Sequence, residues 1–495
     1  MYPWTPYALL PDTYPEWILI ALGVLDFTIT VVALGWIPHR RRPSVALAWL
    51  LGLTVFPFVG LLLFLIIGSS RLPRKRMEKQ AKMNDIIREN TPEDFSLGEE
   101  FHDLPEWVTT TAKLNYRLGA LPMVGGNDFD ILTDNHESME RMAHDVDRAT
   151  DYVHFEFYIV ATDPVSTVLL DSLVRAHERG VRVRILIDHV GSLGYPGYAE
   201  LARRFNASGI PWRRMLPIRP WRGEWQRPDL RNHRKILVVD GSIAYTGSQN
   251  IIHRSYNKKK NLRRGLEWKD LMIRCSGAVV SELNAVFVSD WYSETDDLLL
   301  DEATEVLTDV EGPVYAQVVP SGPGFETENN LRLFNHLIYN ANRRVVISSP
   351  YFVPDESLLH ALTTEAQSGV EVEIFVGESS DHFLAHHAQN SYYAELAEAG
   401  VKIYRYSSPT VLHAKFVLVD DLISVIGSSN MDERSFALDL EVSVMIVDQH
   451  FHVRMENVVD EFKASSTVLN LEAWNKRPLL QKYVENVCRL TSALL

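Results

Sequence analysis

The pattern of apolar and polar positions divides the chain into a hydrophobic N-terminal part and a longer part with alternating strands and helices. Residues 17–37 form an apolar run whose only ionisable group is Asp26, and residues 44–68 form a second run without any charge. At about 1.5 Å per residue, each run is long enough for the roughly 30 Å hydrocarbon core of a bilayer, although Pro57 should kink the second. The pattern predicts a two-helix membrane hairpin over residues 1–68, with spans at about 17–37 and 44–68.

The basic residues around these runs predict an orientation. The chain before the first run has no Lys or Arg, and the loop between the runs has three arginines. Six cations follow the second run: Arg71, Arg74, Lys75, Arg76, Lys79 and Lys82. Because cytoplasmic flanks are enriched in Lys and Arg, this count favours an integral, multi-pass membrane protein with a cytoplasmic C-terminal part. The same cations could also hold anionic headgroups near the protein.

Beyond a basic and polar linker at residues 69–105, the chain repeats one order of elements. Strand-like YVHFEFYIV is followed by a helical stretch and GVRVRILID, and RRVVISSPYFV is followed by a helical stretch and GVEVEIFVG. Strands that alternate with helices of this length indicate an α/β fold with mixed or parallel sheets. The sequence therefore predicts two similar lobes in one pseudo-twofold unit, at residues 106–292 and 313–495. Residues 293–312 contain eight acidic and no basic residues, which predicts a solvated linker.

Each half closes with the same cassette, in which a His and a Lys are followed at fixed distances by an Asp and a Gly-Ser-x-Asn segment. The first copy comprises His233, Lys235, Asp240, Ser248 and Asn250, and the second comprises His413, Lys415, Asp420, Ser428 and Asn430. One such triplet would be weak evidence, since it arises often by chance. Two copies with identical spacing at equivalent positions of a repeat indicate a shared functional site.

Strand geometry gives each cassette residue an expected place. The His and the Lys are two residues apart, so both project from one face of a strand. The Asp lies seven residues after the His, and this odd offset takes it off that face. We count both Asp240 and Asp420 among the catalytic residues, with the His and Lys of each cassette, and expect them to bond turn amides and to tune the site from the side. The Ser hydroxyl and the Asn amide can donate hydrogen bonds to a phosphoryl oxygen.

Joining the two cassettes places two His, two Lys and two Asn around one cavity. Such an anion cradle with two titratable imidazoles suits phosphodiester chemistry that needs no metal or cofactor. One neutral His would attack phosphorus, and the other, protonated, would give its proton to the leaving alcohol. Carboxylates are needed to orient the far ring nitrogens, and Asp270 and Glu441, downstream of the first and second cassettes, are the candidates. A plain structural role for either carboxylate stays open.

Composition and charge narrow the classes of function. The chain has 49 Lys and Arg against 64 Asp and Glu, a net charge of −15, which argues against a wholesale nucleic-acid binder. Only Cys275 and Cys488 occur, which excludes a disulfide framework and a Cys-rich zinc site.

Two local segments are basic although the chain as a whole is acidic. Residues 213–235 hold eight cations against two acids, interleaved with Trp212, Trp221 and Trp225. This segment is either a membrane-docking edge or an ordinary solvated loop. The run Lys258, Lys259 and Lys260, followed by Arg263 and Arg264, has no counterpart in the second half. We interpret that insert as a membrane or headgroup contact.

Both cassettes match the signature of the phospholipase D superfamily without a gap, and the wider chain resembles the bacterial cardiolipin synthases. That resemblance includes GSSNMDERSFALDLE, WKD, SPYFVPD and the two N-terminal apolar runs. It implies an enzyme of the bacterial inner membrane that acts on phosphatidylglycerol and contacts anionic membrane lipid, not nucleic acid. The implied reaction joins two phosphatidylglycerol molecules into cardiolipin and glycerol through a phosphohistidine, without metal or cofactor. The resemblance also implies that His233 is the nucleophile, although sequence symmetry does not decide this.

Other functions of the same chemistry stay open at this point. A membrane-bound phosphodiesterase of the phospholipase D type would use water as acceptor, and the choice of acceptor depends on how dry the cavity is. A membrane-tethered nuclease should have a basic groove across both halves, yet the second half is acid-rich. A non-catalytic lipid-binding scaffold is disfavoured because both cassettes are intact. The sequence does not indicate the oligomeric state.

Overall fold

The computed structural model describes residues 15–39, 41, 43–68, 72–89, 104–222, 224, 226–299, 302, 314–325 and 327–490. The chain falls into two compact units. The first comprises Met1–Arg71 with Arg227–Asp229, and the second comprises Leu72–Gln226 with Leu230–Leu495.

Helices and strands alternate through most of the described chain. The helices are α1 (Glu16–Trp36), α2 (Pro43–Val55), α3 (Pro57–Ile67), α4 (Arg74–Glu89), α5 (Glu106–Gly119), α6 (Asn135–Asp147), α7 (Thr167–Glu178), α8 (His189–Leu193), α9 (Tyr198–Ser208), α10 (Lys259–Arg264), α11 (Val279–Thr295), α12 (Asn329–Tyr339), α13 (Glu356–Ser368), α14 (Phe383–Glu398), α15 (Glu433–Ala437), α16 (Gln449–Ala464), α17 (Leu471–Asn475) and α18 (Leu479–Arg489). The strands are β1 (Val124–Leu132), β2 (Tyr152–Phe157), β3 (Arg182–Asp188), β4 (Trp212–Met215), β5 (Lys235–Val239), β6 (Ile243–Gly247), β7 (Glu267–Lys269), β8 (Met272–Ser276), β9 (Val314–Ser321), β10 (Arg344–Ser348), β11 (Phe352–Val353), β12 (Glu371–Gly377), β13 (Lys402–Tyr406), β14 (Thr410–Leu412), β15 (Phe416–Val419), β16 (Ile423–Gly427), β17 (Met431–Asp432), β18 (Glu441–Val447) and β19 (Ser466–Val468).

The N-terminal unit consists of α1, α2 and α3 around a small apolar core. The ring of Phe64 in α3 lies edge-on to Trp36 and to Trp49, with centroid distances of 5.9 and 5.4 Å. Ala33, Ile37 and other buried residues of the three helices complete this core.

The predicted pair of membrane spans at 17–37 and 44–68 is not found. Pro57 has no backbone N–H and begins a new helix, so the second run becomes α2 and α3, of 13 and 11 residues. Both are shorter than the roughly 20 residues that a bilayer requires. The helix α1 has 21 residues and carries Asp26 near its middle. Among the described residues, no helix is both long and apolar enough to cross a membrane. The structure therefore does not support the predicted hairpin or the multi-pass topology that follows from it.

The linker predicted at residues 69–105 contains a helix, α4, that packs on α11. Arg76 forms an ion pair of 2.7 Å with Glu294, and the Lys79 ammonium donates to two carbonyls of the last turn of α11, at 2.9 and 3.1 Å. A cation at the C-terminal end of a helix is favoured by the helix dipole. Two of the cations considered for headgroup contact therefore bind the protein itself.

One fifteen-stranded sheet runs through the second unit, in the order β19-β13-β12-β10-β15-β16-β18-β9-β1-β8-β6-β5-β2-β3-β4. The antiparallel pair β1 and β9 lies where the two halves meet. On each side of it, equivalent strands follow in the same order, and β2, β3 and β4 pair in parallel as do β10, β12 and β13. The second flank ends in an additional edge strand, β19, which pairs antiparallel with β13. This arrangement confirms the predicted duplicated mixed α/β fold.

The central strands are apolar on both faces because helices cover both sides of the sheet. Along β5, Leu237 and Val239 belong to one core cluster with α6 and α7, whereas Ile236 and Val238 belong to another with α11 and α16. Strands covered on both faces are expected to be apolar throughout. His233 and His413 lie just before β5 and β15 rather than on a strand as predicted, and each His-x-Lys segment leads into a strand that is packed on both faces.

The acidic linker predicted at residues 293–312 is not wholly solvated. Glu302 is buried and accepts hydrogen bonds from Arg182 at 2.6 Å and Arg184 at 2.8 Å, with His154 at 2.9 Å. The charges of two arginines and the hydrogen bond with an imidazole offset the cost of burying this carboxylate, so Glu302 can lie in the protein interior. Most of the remaining linker lies outside the described residues.

The basic segment at residues 213–235 is used partly inside the protein. Arg231 and Arg234 are buried and form ion pairs with the buried carboxylates of Asp188 and Asp290. Buried charges require such partners, so these cations do not face a membrane.

The three tryptophans of that segment differ in exposure. Trp212 is buried in β4, Trp221 is 77% exposed on the turn Pro220–Arg222, and Trp225 lies outside the described residues. Membrane docking therefore stays a prediction for the turn that carries Trp221.

Candidate active site

Backbone pairing between the two halves positions both histidines. The His233 amide donates to the carbonyl of Leu440 at 2.9 Å, and the Leu440 amide donates to Arg231 at 2.8 Å. In the second half, β14 pairs in parallel with β7, and the His413 amide donates to the carbonyl of Lys269 at 2.8 Å. Each His-x-Lys segment is thus held by the opposite half.

The same pairing exchanges the orienting carboxylates between the halves. Leu440 and Lys269 immediately precede Glu441 and Asp270 in the chain. His233 Nδ1 lies 2.9 Å from Glu441 Oε1, and His413 Nδ1 lies 2.6 Å from Asp270 Oδ1. The two carboxylates expected from the sequence therefore contact the histidines, and each serves the histidine of the other half. Their contact with Nδ1 leaves Nε2 as the nitrogen available for chemistry.

Both histidines line one cavity of about 480 Å³. Asn250 and Asn430 line it as well. The other polar and aromatic lining residues are Tyr158, Tyr195, Tyr256, Tyr351, Trp268, Lys258, Asp381, His382, Asp432, Arg434 and Asp439. The cavity thus has two titratable imidazoles, aromatic walls and three acids, all of them from the second half.

The two lysines of the cassettes lie behind the histidines. Both are fully or almost fully buried, and the Lys415 ammonium donates to the carbonyl of His413 at 2.8 Å, as Lys235 does to that of His233. Burial lowers the pKa of Lys235 to about 8 and that of Lys415 to about 7, against the opposing charges of Asp270 and Glu441. Neither lysine is among the residues that line the cavity, so the two ammonium groups add positive charge behind the histidines rather than at the cavity wall.

The two His–carboxylate pairs are electrostatically unequal. Burial, followed by the charges of Lys235 and Lys415, holds the pKa of His233 well below its usual value. Burial and Lys415 also lower the pKa of His413, but there the Asp270 carboxylate opposes the shift. Burial alone would raise the pKa of Asp270, yet the contact with His413 outweighs it and the net shift is downward. Burial raises the pKa of Glu441 to about 7. His413 therefore has the more strongly ionised partner.

The serines of the Gly-Ser-x-Asn segments orient carboxylates. Ser248 Oγ donates to Asp270 at 2.7 Å, and Ser428 Oγ donates to Glu441. Both hydroxyls are fully buried and neither serine lines the cavity, so in this structure they support the carboxylates rather than face the place of a phosphoryl oxygen. The preceding glycine allows this approach, since a Cβ on Gly427 would lie 2.3 Å from the carbonyl of Val442.

The two asparagines are not equivalent. Asn250 accepts from the Ile159 amide at 3.1 Å and donates to the Tyr256 hydroxyl at 2.8 Å. Asn430 is buried, and its Oδ1 has no hydrogen-bond partner among the described residues. Since a buried amide is costly without a partner, Asn430 is the more available of the two for a ligand.

Asp240 and Asp420, considered among the catalytic residues, lie at the far ends of β5 and β15 from the lysines. Asp240 accepts hydrogen bonds from the backbone amides of Thr150, Asp151 and Tyr152 at 2.8 to 2.9 Å. Asp420 accepts from the amides at the start of β10 in the same way. Both are half-buried, with φ of 50° and 52°. The odd spacing predicts a position off the His face, and these amide contacts give the two carboxylates a structural role at the start of β2 and β10.

Two family models match the chain. A model described as cardiolipin synthase, phospholipase D-like domain, matches residues 142–291 and 334–463, and one described as phospholipase D-nuclease N-terminal matches residues 24–69. The chain belongs to the cardiolipin synthase family of phospholipase D-like proteins.

Relatives named cardiolipin synthase A align with nearly the whole chain. Cardiolipin synthase A of Proteus mirabilis is 33% identical over 92% of this chain and 94% of its own length. Cardiolipin synthase A of Yersinia pseudotuberculosis is 33% identical over 96% of this chain and 98% of its own. A solved structure, phosphatidylserine synthase of Haemophilus influenzae, shares the fold with a TM-score of 0.58 and 16% identity, covering 78% of this chain and all of that one.

Some residues that line the cavity, Tyr158 among them, were not predicted from the sequence as site residues. Tyr158 follows β2 directly, and its ring meets that of His233 edge-on at 4.9 Å, with the Lys235 ammonium 5.6 Å from its centre. Its position after the carboxyl end of a parallel strand was the available signal. Arg434 donates to Asp439 at 3.0 Å, and burial raises the pKa of Asp439 to about 7.

The backbone contacts of Asp240 lead to a prediction about stability and turnover. In Asp240→Ala, three backbone amides lose their acceptor, so we expect the free energy of unfolding to fall by about 1–2 kcal/mol. Because Asp240 touches neither histidine nor its carboxylate, enzymatic turnover per folded molecule should stay near that of the wild type. Chemical denaturation and turnover of Asp240→Ala and the matched Asp420→Ala measure both quantities. A folded variant without turnover would show that this Asp belongs to the catalytic group.

Proposed function

We propose that the protein is a cardiolipin synthase that transfers a phosphatidyl group from one phosphatidylglycerol to another and releases glycerol. The observation that carries the proposal is the presence of His233 and His413, from different halves, in one cavity with crossed carboxylate partners. Membership of the cardiolipin synthase family supports the choice of substrate. The proposed steps use only side chains of this protein, without a metal or cofactor.

In the first step, Nε2 of neutral His233 attacks the phosphorus of the donor lipid. The P–N bond forms, the P–O bond to glycerol breaks, and protonated His413 gives its proton to the leaving glycerol oxygen. The strongly lowered pKa of His233 favours a neutral nucleophile, and ionised Asp270 stabilises the imidazolium of His413. These asymmetries support His233 as nucleophile and His413 as acid.

In the second step, His413 acts as the base. Its neutral imidazole removes the proton from a glycerol hydroxyl of the acceptor lipid, and that oxygen attacks phosphorus. The P–N bond to His233 breaks, and cardiolipin leaves. The cations Lys235 and Lys415 stabilise the charge on the phosphoryl oxygens in both steps, and two successive displacements retain the configuration at phosphorus.

The proposed substrates place the protein at a bacterial membrane that contains anionic lipid. Helices α1, α2 and α3 expose large apolar side chains, including Trp17, Phe27, Leu51, Phe56 and Leu65. Exposed apolar clusters of this size are typical of interaction with lipid or another apolar surface. The acids that line the cavity, Asp381, Asp432 and Asp439, disfavour a nucleic-acid strand as substrate.

The function is tested with purified protein in detergent, given phosphatidylglycerol alone and a metal chelator. We expect cardiolipin and glycerol in equal amounts, with a loss on the order of 10³-fold or more in His233→Ala and in His413→Ala, because each removes a reacting group. His450→Ala, an exposed histidine at the start of α16, is the matched control and should retain turnover. Thin-layer chromatography that shows only phosphatidic acid would favour a hydrolase that uses water. Unchanged turnover in the two active-site variants would contradict the mechanism.

Asp270 gives a prediction about pH. Its carboxylate opposes the lowering of the His413 pKa, so Asp270→Asn should lower that pKa further. The acid is then lost at a lower pH, and the basic limb of the kcat profile should move down by about one pH unit or more. Profiles of the wild type, Asp270→Asn and the control Asp420→Asn measure this shift. A basic limb that stays in place, or moves to higher pH, would exclude His413 as the acid.

A further inference from the structure

The basic insert of the first half brings one cation into the cavity. Lys258 lines the cavity wall, and no ion pair joins it to a carboxylate of the described residues. Arg434, on the same cavity, is instead paired with Asp439 at 3.0 Å. Among the described residues, no carboxylate is close enough to form an ion pair with Lys258.

The loop before Lys258 is built to hold it in place. Tyr256 and Asn257 both have left-handed backbone conformations, with φ of 57° and 53°, which non-glycine residues adopt at a cost. Hydrogen bonds hold this turn: Asn257 donates to Asp163 at 2.8 Å, and the Tyr256 hydroxyl accepts from Asn250. The Lys258 ammonium lies 4.2 Å from the centre of the Tyr195 ring, a favourable cation–π distance.

This cation makes the cavity asymmetric. Asp270 lies twenty positions after Asn250, whereas Glu441 lies only eleven positions after Asn430. The second half therefore has no loop equivalent to the one that carries Lys258. The ring of Tyr256, next but one to Lys258, packs on Trp268 at 4.7 Å, and Trp268 lies two residues before Asp270. Lys258 thus belongs to the side of the cavity that holds His413 and its carboxylate, where the acceptor hydroxyl is activated.

We propose that Lys258, held against Tyr195, binds the phosphodiester of the acceptor lipid. This inference rests on the proposed function. An acceptor phosphatidylglycerol differs from water and from glycerol in carrying a second phosphate, one glycerol length from the attacking hydroxyl. A lysine ammonium has three donors for such an anion, and hydrogen bonds between charged groups are among the stronger ones. Lys258 thereby directs the phosphatidyl group to a phospholipid rather than to a small alcohol.

The test compares two water-soluble acceptors on the full-length protein in detergent. Phosphatidylglycerol is the donor, and labelled glycerophosphoglycerol or labelled glycerol is the acceptor, so the two differ in the phosphodiester and neither has acyl chains. We expect the wild type to prefer glycerophosphoglycerol in kcat/KM. Lys258→Gln should lose about tenfold or more of this preference, with transfer to glycerol nearly unchanged.

Two further variants separate phosphate binding from surface charge. Lys258→Arg keeps the cation and should retain most of the preference. Lys113→Gln, exposed on α5 and outside the basic insert, is the control for surface charge and should behave as the wild type for both acceptors. An unchanged preference in Lys258→Gln, or an equal fall for both acceptors, would overturn the proposal. A wild type that transfers to neither acceptor nor to phosphatidylglycerol would instead contradict the proposed function.

Discussion

The candidate active site depends on the exchange of carboxylates between the two halves. The backbone before each His-x-Lys pairs with the strand that ends in the partner's carboxylate, so His233 receives Glu441 and His413 receives Asp270. An imidazole without its carboxylate loses both its orientation and the stabilisation of its charged form. Neither half therefore contains a complete His–carboxylate pair, and both halves are needed to form the site.

Identical cassettes in unequal surroundings give two histidines with different properties. The carboxylate of Asp270 stays ionised, whereas burial raises the pKa of Glu441 to about 7. Burial, followed by the charges of Lys235 and Lys415, lowers the pKa of His233 well below its usual value, which favours the neutral ring. A displacement at phosphorus needs one neutral and one protonated imidazole, and the differences outside the cassettes supply that distinction.

Local sequence patterns predicted the repeated strands and the position of Asp240 away from His233. Each follows from residue spacing along one element. The crossed pairing was not predictable in this way, because it depends on the register between segments 208 and 143 residues apart. For the same reason, Ser248 was assigned to phosphate: a buried hydroxyl finds its partner in three dimensions, and here the partner is Asp270.

Charge and hydropathy patterns were less reliable than spacing. The acidic run predicted a solvated linker, yet Glu302 is buried because two arginines of β3 reach it. The basic run predicted a surface, yet Arg231 and Arg234 neutralise buried aspartates. The apolar run at 44–68 predicted a span, yet Pro57 divides it. In each case a long-range partner or a single backbone constraint outweighed composition.

The central claim is that His233 and His413 act on one phosphorus atom, with His233 forming the bond. Its most direct test is mass spectrometry of peptides from protein quenched at alkaline pH during turnover of phosphatidylglycerol. The account predicts a phosphatidyl adduct on the peptide that contains His233, at Nε2. An adduct on His413, or on a residue outside the two cassettes, would contradict it.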